Sequence, residues 1–369
     1  MKQGHGILPA GVVTTGWVNV NTDCNNRCAW CYKTDELAHA PTEMTYRMAS
    51  DVIDFFSDIG LYSCIFIGGE PTLYKDLVAL VKQAKLSKIK EVTVVSNGRL
   101  LGKDNLAGRL KDAGLDIFSI TIHSADEQLH NSIARRNAWQ ETINGIKEVV
   151  ALGCNCTLNM VVGEQNYDSV IPSFEPLLDL GVRQIIVSCA IPCIIEGQVD
   201  ASNSLNPRKF GELVTQIADC PEQVVVLHEL PLCLIPREAF LKLAEKNRLG
   251  FGCHIGVGRG LSIDTMGRVI PCNSFPAFPM FQLFGEDGPA MTPKQFMKHW
   301  ASDSEVLEVR AESNVYRSEI CTECGLWPLC NCGCPLTWGH YHPDDFINPG
   351  LVGIDAETVY NWTRAMYNP

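Results

Sequence analysis

"ASDVIDFFSDIGLYSCIFIGG", residues 49–69, changes rhythm at Gly60. Before it, apolar residues recur at three- and four-residue steps, the mark of a helix with one buried face. After it comes a short apolar run, the mark of a buried strand. A glycine between the two sits where a helix ends in a left-handed cap. The unit returns three times: "NLAGRLKDAGLDIFSITIHS" (105–124) breaks at Gly114, "ETINGIKEVVALGCNCTLNMVVG" (141–163) at Gly153, and "SVIPSFEPLLDLGVRQIIVSCA" (169–190) at Gly181. "WVNVN" (17–21) reads as a first strand, and "EVTVVSNG" (91–98) as a further one behind a helical segment at about 75–88.

Six strands alternating with helices predict an α/β fold with a parallel sheet. The periodicity fits an open doubly wound sheet as well as a partial or complete (β/α) barrel. In either, functional groups gather on loops at the C-terminal ends of the strands. After about residue 200 the rhythm stops. Residues 201–250 read as a helical connector with one more strand, "QVVVLHEL" (223–230). From 251 the chain is rich in Gly, Pro and Cys, and "GLSIDTMGRVIPC" (260–272) reads as a hairpin turning at Met266 and Gly267. The chain thus divides into an N-terminal segment (1–16), a β/α unit (17–200), a connector (201–250), a small Cys-rich domain (251–335) and a tail (336–369).

At 369 residues and 46% hydrophobic content, the chain can bury a sizeable core and fits about two domains. No apolar run reaches the ~18 residues of a membrane helix. The start has no charged segment followed by a long apolar one, so a cytoplasmic protein is expected. A net charge of -12 argues against a surface that tracks nucleic-acid phosphates. Seventeen cysteines in a reducing compartment point to metal or redox chemistry. They cluster at Cys24, Cys28 and Cys31, and again at Cys321, Cys324, Cys330, Cys332 and Cys334.

The first cluster, "CNNRCAWCY" (24–32), has C-x3-C-x2-C spacing in the loop after the first strand. Three thiolates on a four-iron cube leave one iron for another molecule, as a catalytic zinc site keeps one position open. This motif in this loop resembles the radical S-adenosylmethionine (SAM) enzymes. The resemblance implies a partial (β/α)6 TIM-like barrel and a [4Fe–4S] cluster whose open iron is chelated by SAM. It also implies an electron donor such as flavodoxin or ferredoxin, and cleavage of SAM to a 5'-deoxyadenosyl radical that abstracts hydrogen from a substrate. Site roles follow residue by residue. Trp30 matches the aromatic position near the adenine. "GGEP" (Gly68, Gly69, Glu70, Pro71) is similar to the motif that lets the backbone approach SAM, with Glu70 taking the methionine ammonium. "SNG" (Ser96, Asn97, Gly98) resembles the ribose-side contact. Thr121 and His123 in "ITIHS" stand where many relatives carry Ser-x-Asp. "HNSIARRNAW" (130–139) resembles the stretch whose arginine pairs with the SAM carboxylate, with Arg135 and Arg136 both candidates.

The second pattern is Cys253, then Gly267-x4-Cys272, then Cys321-x2-Cys324-x5-Cys330-x3-Cys334. It resembles the SPASM/twitch-type domain, which implies one or two auxiliary iron–sulfur clusters, with zinc as the rival metal. Two family cysteines are absent: position 259 is Arg259, and none follows Cys334. Cys332 is available to complete one cluster and Cys233 the other. Otherwise there is a single auxiliary cluster, or one has an open iron or an oxygen ligand. Cys64, Cys154, Cys156 and Cys220 fit core positions.

Enzymes with such domains include sulfatase maturases, peptide-crosslinking enzymes and small-molecule dehydrogenases. Sulfatase maturases are similar to this chain but place Asp directly after the Gly-x4-Cys cysteine; here it is Asn273. Sixteen residues before the first strand leave no room for a leader-binding domain of ~80 residues. The expectation is a separate leader-peptide-binding protein or a small substrate. The resemblance therefore implies oxidative maturation or crosslinking of a ribosomally made peptide. The alternative is a dehydrogenase or rearrangement enzyme acting on a sugar, aminocyclitol or amino acid, and a third reading is peptide epimerisation. For the last, Cys189 and Cys193 in "VSCAIPCII" (187–195) are candidate hydrogen donors, since the sixth strand is expected to end near Val187 or Ser188. The same thiols suit apolar packing.

Overall fold

The structure is a computed structural model and describes residues 12–31, 42–195 and 197–363. Most of the N-terminal segment 1–16 and the end of the 336–369 tail lie outside the described residues. The chain opens with β1 (Thr15–Asn21), α1 (Tyr46–Asp58), β2 (Ser63–Gly68), α2 (Leu77–Leu86), β3 (Glu91–Ser96), α3 (Leu106–Asp112) and β4 (Ile117–Thr121). It continues with α4 (Glu127–Ala134), α5 (Trp139–Ala151), β5 (Cys156–Val162), α6 (Val170–Leu178) and β6 (Gln184–Cys189). The six strands pair in chain order, all parallel. This is the partial TIM-like barrel, in which every strand delivers its C-terminal loop to the same end.

The glycine breaks do what the sequence pattern predicts. Gly60, Gly114, Gly153 and Gly181 have φ of 76°, 94°, 70° and 87°, a region costly for residues with a Cβ. At the other end of α1, Thr45 Oγ1 accepts the Met48 N–H at 3.2 Å, satisfying one of the free donors of the first turn. The buried face of α1 carries Ala49, Val52, Ile53, Phe55 and Phe56, and the helix packs on β1. The strands supply the other half of the core with fully buried Val18, Phe66, Phe118, Leu158 and Ile185. Each such side chain contributes roughly 1.5–3 kcal/mol of burial.

Beyond β6 the sheet goes on growing at both edges. A short antiparallel pair, β7 (Cys193–Ile195) and β8 (Gln198–Asp200), precedes α7 (Pro207–Ile217). Next come β9 (Val224–His228), α8 (Arg237–Glu245) and β10 (Leu249–Phe251). β9 pairs parallel to β6, and β10 parallel to β9. After α9 (His254–Val257), β11 (Gly260–Ile263) pairs parallel to β1 on the opposite edge. β12 (Arg268–Ile270) returns antiparallel as the expected hairpin, with Gly267 in its turn, and β13 (Phe281–Gln282) follows. The connector segment 201–250 is thus part of the main sheet and puts two more strand ends beside the six. Helices α10 (Pro293–Ser302), α11 (Ser304–Ser313), α12 (Ile320–Glu323) and α13 (Trp327–Cys330) form the Cys-rich region with the surrounding loops. No helix among the described residues is long and apolar enough to cross a membrane.

Candidate active site

The C-x3-C-x2-C loop leaves β1 and is held from three sides. Gly69 N–H donates to Asn21 O at 2.9 Å, Glu70 N–H to Asp23 O at 2.8 Å, and Asn21 Nδ2 to Glu70 O at 2.8 Å. A Cβ on Gly69 would lie 2.0 Å from Asp23 O, so only glycine permits this approach. The reason for the second glycine of "GGEP" is thus the seating of the Cys loop itself. From β3, Asn97 Nδ2 donates to Asn25 Oδ1 at 2.6 Å and reaches the Cys24 sulfur at 3.9 Å. From the last turn of α4, Ala134 O and Ile133 O accept the Arg27 and Ala29 N–H groups, each at 3.0 Å.

Glu70 is the hub of this end of the sheet. Its Oε1 accepts from Thr72 N at 3.1 Å, Thr72 Oγ1 at 2.5 Å and Ser96 Oγ at 2.7 Å; its Oε2 accepts Asn97 N at 2.7 Å. Burial pushes its carboxyl upward and these donors pull it back. A buried carboxylate needs such partners. Four of its acceptor positions are therefore used inside the protein, tying the end of β2 to the end of β3. Pro71 begins the 3-10 turn that Glu70 caps.

Arg99, which the sequence reading passed over, follows "SNG" and clamps the Cys loop. Its Nη1 donates to Asn25 O and to Asn26 Oδ1, while Nε pairs with Glu141 at 2.6 Å. The position one residue past "SNG" was the available signal. Arg135 and Arg136 are both exposed. Arg135 closes α4 with φ 51°, and Arg136 Nη1 donates to Arg135 O at 3.0 Å. They share the α4 turn that backs the Cys loop.

Trp30 stands edge-on to His123, ring centroids 5.3 Å apart, and packs over Gly163 at the end of β5. His123 and His130 are buried, with centroids 5.2 Å apart. Burial, then its His130 neighbour, pushes the His123 imidazole down to about 3; burial, then Arg99, pushes His130 down to about 4. Both are neutral rings. Among the described residues, His123 Nδ1 and His130 Nε2 are buried with no hydrogen-bond partner. Thr121 is the partly buried last residue of β4.

The sixth strand ends at Cys189, later than the sequence suggested. Cys189 is buried and directs its thiol to Ala190 O at 3.6 Å, so it faces backbone rather than the mouth of the barrel. Cys193, on β7, is half-buried and within electrostatic reach of Cys31.

All seventeen cysteines are free thiols, and those singled out by spacing form three groups. The first is the triad: burial, then Cys31 and Cys24, push the Cys28 thiol up to about 12. In the second, burial and Cys253 raise Cys272, while burial, Cys253 and Cys272 raise Cys334. The third lines one hollow with Cys233, Cys321, Cys324, Cys330 and Cys332. Cys233 and Cys332 therefore sit at the same group, not one at each as the sequence suggested. Cys321 and Cys332 sulfurs are 3.4 Å apart, which lowers the Cys321 thiol and raises Cys332. Cys64 and Cys156 are buried in the core, and Cys154 and Cys220 are half-buried and packed against it. Asn273, beside Cys272, has its amide oxygen occupied by Asn19 Nδ2 at 3.0 Å and Ser262 Oγ at 2.8 Å.

The donor chemistry of the three groups fits iron–sulfur ligation. In each, a backbone N–H points at a sulfur: Asn26 N at Cys24, Ser274 N at Cys272 and Leu232 N at Cys330, at 3.3–3.4 Å. Such bonds strengthen when the sulfur is an anion. Burial and like charges raise Cys28, Cys272 and Cys334, hydrogen bonds pull them back in part, and among the described residues no cation does. A bound metal group is what would keep those sulfurs as thiolates. Among the described residues, no three His, Cys, Asp or Glu converge closely enough to hold a single ion.

Residues 18–176 match the Radical SAM superfamily model. A probable GTP 3',8-cyclase of Sulfurisphaera tokodaii is 32% identical over 163 residues, 44% of this chain and 51% of that protein. One from Methanocaldococcus jannaschii is 28% identical over 171 residues, 46% of this chain and 57% of that protein. The chain thus spans about half the length of the curated relatives it matches. Solved structures similar over nearly the whole chain include Streptococcus suis SuiB bound to precursor peptide SuiA, with TM-score 0.64, 17% identity and coverage of 93% of this chain and 76% of that one. Another is anSMEcpe with bound AdoMet and Cp18Cys peptide, with TM-score 0.66, 14% identity and coverage of 96% and 97%. At these identities the likeness is one of fold. The residues from β1 to α6, with the three-thiol loop at the end of the first strand, are a radical SAM domain, and its cofactors are a [4Fe–4S] cluster and SAM.

Proposed function

We propose that this enzyme abstracts hydrogen from a ribosomally made peptide in an oxidative maturation or crosslinking reaction. Cys24, Cys28 and Cys31 would hold the [4Fe–4S] cluster that, once reduced, splits SAM into methionine and a 5'-deoxyadenosyl radical. Asn97, Glu70 and Arg99 keep the Cys loop seated at the ends of β1, β2 and β3. Trp30 and neutral His123 form the wall on the β4–β5 side, toward the adenine and ribose. Arg135 or Arg136 supplies positive charge for the SAM carboxylate. Two auxiliary clusters complete the electron path, one at Cys253, Cys272 and Cys334, the other at Cys321, Cys324 and Cys330 with Cys233 or Cys332. Flavodoxin or ferredoxin is the donor class.

The observation that carries the peptide reading is the C-terminal region. The curated relatives named GTP 3',8-cyclase align with less than half of this chain, whereas SuiB and anSMEcpe share its fold over 93% and 96% of it. Both were solved with a peptide bound. Asn273 stands in place of the sulfatase maturase Asp, and its amide oxygen is already committed, which favours crosslinking over sulfatase maturation. The cyclase names support a second reading, rearrangement or oxidation of a small molecule.

The test is anaerobic turnover with SAM and dithionite. Replacing Cys24, Cys28 and Cys31 together should abolish 5'-deoxyadenosine while auxiliary iron remains. Formation at the parent rate would refute the proposal. Small peptides encoded beside the gene, compared with GTP and aminocyclitols, then separate the two readings. The peptide reading requires a peptide product two mass units lighter than its substrate.

A further inference from the structure

Two of the three thiol groups are complete on their own terms, and one is not. The triad keeps a position for SAM, and the hollow around Cys321 has five thiols for four positions. The group of Cys253, Cys272 and Cys334 has three: Cys233 and Cys332 line the other hollow, and the Cys189 thiol is directed to Ala190 O. At position 259, where the family pattern would supply a cysteine, Arg259 lends its carbonyl to Thr14 and Thr15.

Glu229 lies at this incomplete group. It directly follows β9, at the sheet end shared by the other parallel strands. Cys334 N–H donates to Glu229 O at 2.7 Å, so the two residues are locked side by side. The lock requires Gly333, whose Cβ would lie 2.4 Å from that carbonyl. The Glu229 carboxylate is within electrostatic reach of Cys272 and Cys334 as well as Cys189. Protein surrounds it, and like Cys272 and Cys334 it is partly buried. Among the described residues, no hydrogen bond or ion pair offsets its burial. Buried carboxylates are otherwise paired or bound to metal.

We propose that Glu229 ligates the auxiliary cluster of Cys253, Cys272 and Cys334 through a carboxylate oxygen, in place of the missing thiolate. This rests on the reading above that those three thiols hold iron. An oxygen ligand gives one iron an electronic environment unlike the other three. It also donates less charge than a thiolate, so the cluster potential sits higher.

The experiment uses the full chain with Cys24, Cys28 and Cys31 replaced by Ala, so that only auxiliary iron is observed. Mössbauer spectra should show one distinct iron in a cluster. Glu229→Cys should make that iron like its neighbours and move the potential of that cluster to more negative values. Glu229→Gln should lose the distinct iron, leaving a three-iron signal in electron paramagnetic resonance, with the second cluster unchanged. Spectra and potentials of both variants that superimpose on the background protein would overturn the assignment while leaving the clusters in place. A background protein without auxiliary iron would overturn both the assignment and the cluster reading beneath it.

Discussion

The Cys loop after β1 and the cysteine groups of the C-terminal region solve opposite problems with the same side chain. Cys24 and Cys31 are exposed, and the loop that carries them is held by other residues: Asn97, Arg99 and the α4 turn. The C-terminal thiols are buried or half-buried, and Cys321 and Cys332 pack with Trp327 and Ile347 in one small apolar cluster. A site that must admit a cosubstrate keeps its sulfurs in reach of solvent and takes its rigidity from outside. A site that only passes electrons can be closed, as structural metal sites are.

The sharpest way to break this comparison is at the enclosed hollow, where five thiols compete for four positions. Cys233 is within electrostatic reach of Cys321, Cys324 and Cys330, whereas Cys332 reaches Cys321 and Cys330. Cys233 is thus the better placed fourth ligand. Cys233→Ser should lose up to about four irons per chain, the content of one [4Fe–4S] cluster, and Cys332→Ser should keep them. Iron and sulfide analysis decides it. The reverse outcome would give the position to Cys332.

The next effect is in acid and belongs to the wall under the open site. His123 faces His130 and the Trp30 ring, and His130 faces Arg99. Their folded-state values, about 3 and about 4, lie below the ordinary 6.5. Their contribution to stability is therefore fully present above pH 6.5. It falls as the pH drops, because the unfolded chain takes up protons that the fold refuses. Each histidine accounts for about 1.4 kcal/mol per pH unit until its folded value is reached. Urea unfolding between pH 7 and 4.5 should show this slope, and a His123→Gln, His130→Gln double variant should flatten it. An unchanged slope would place the acid sensitivity elsewhere.

Arg99 tests the external bracing directly. Arg99→Ala removes the clamp on Asn25 and Asn26 and leaves Glu141 paired with Lys103 alone. The KM for SAM should rise roughly tenfold, or about 1.4 kcal/mol, with iron content unchanged. Arg99→Lys, which keeps charge but not the fork, should fall between. A KM that does not move would mean the loop stands without the clamp.

The β/α repeat was legible because four of its helices, α1, α3, α5 and α6, end on a glycine whose left-handed backbone the structure confirms, and the Cys loop because its three cysteines lie within eight residues. Residues brought together by the sheet were not legible. β9 and β10 look like parts of a connector in sequence, and only the pairing of β9 with β6 and of β10 with β9 puts Glu229 and Cys253 at the functional end. Cys233 and Cys332 are interchangeable by spacing, and the fold alone sends both to one hollow. Glu70 reads as a free ligand in "GGEP" because the sequence does not show the donors from Thr72, Ser96 and Asn97. β6 ends at Cys189, one or two residues later than the pattern suggests, and Cys189 is buried as its last residue.

Of the two candidate donors, Cys193 is the one that interacts with the triad, and it sets the smallest expected effect. Cys189 is enclosed by the sheet, whereas Cys193 is half-buried on β7 and within reach of Cys31. If a substrate radical is quenched from the protein, Cys193 is the residue placed to return the hydrogen atom. If the reaction is a crosslink, two electrons leave the substrate and no hydrogen is returned. Turnover in heavy water distinguishes them. Under the crosslinking reading, product is two mass units lighter, carries no solvent deuterium at carbon, and forms within about twofold of the parent rate in Cys193→Ala. Deuterium retained at a carbon in the parent and lost in Cys193→Ala, with Cys189→Ala unaffected, would instead make the enzyme an epimerase and Cys193 its donor.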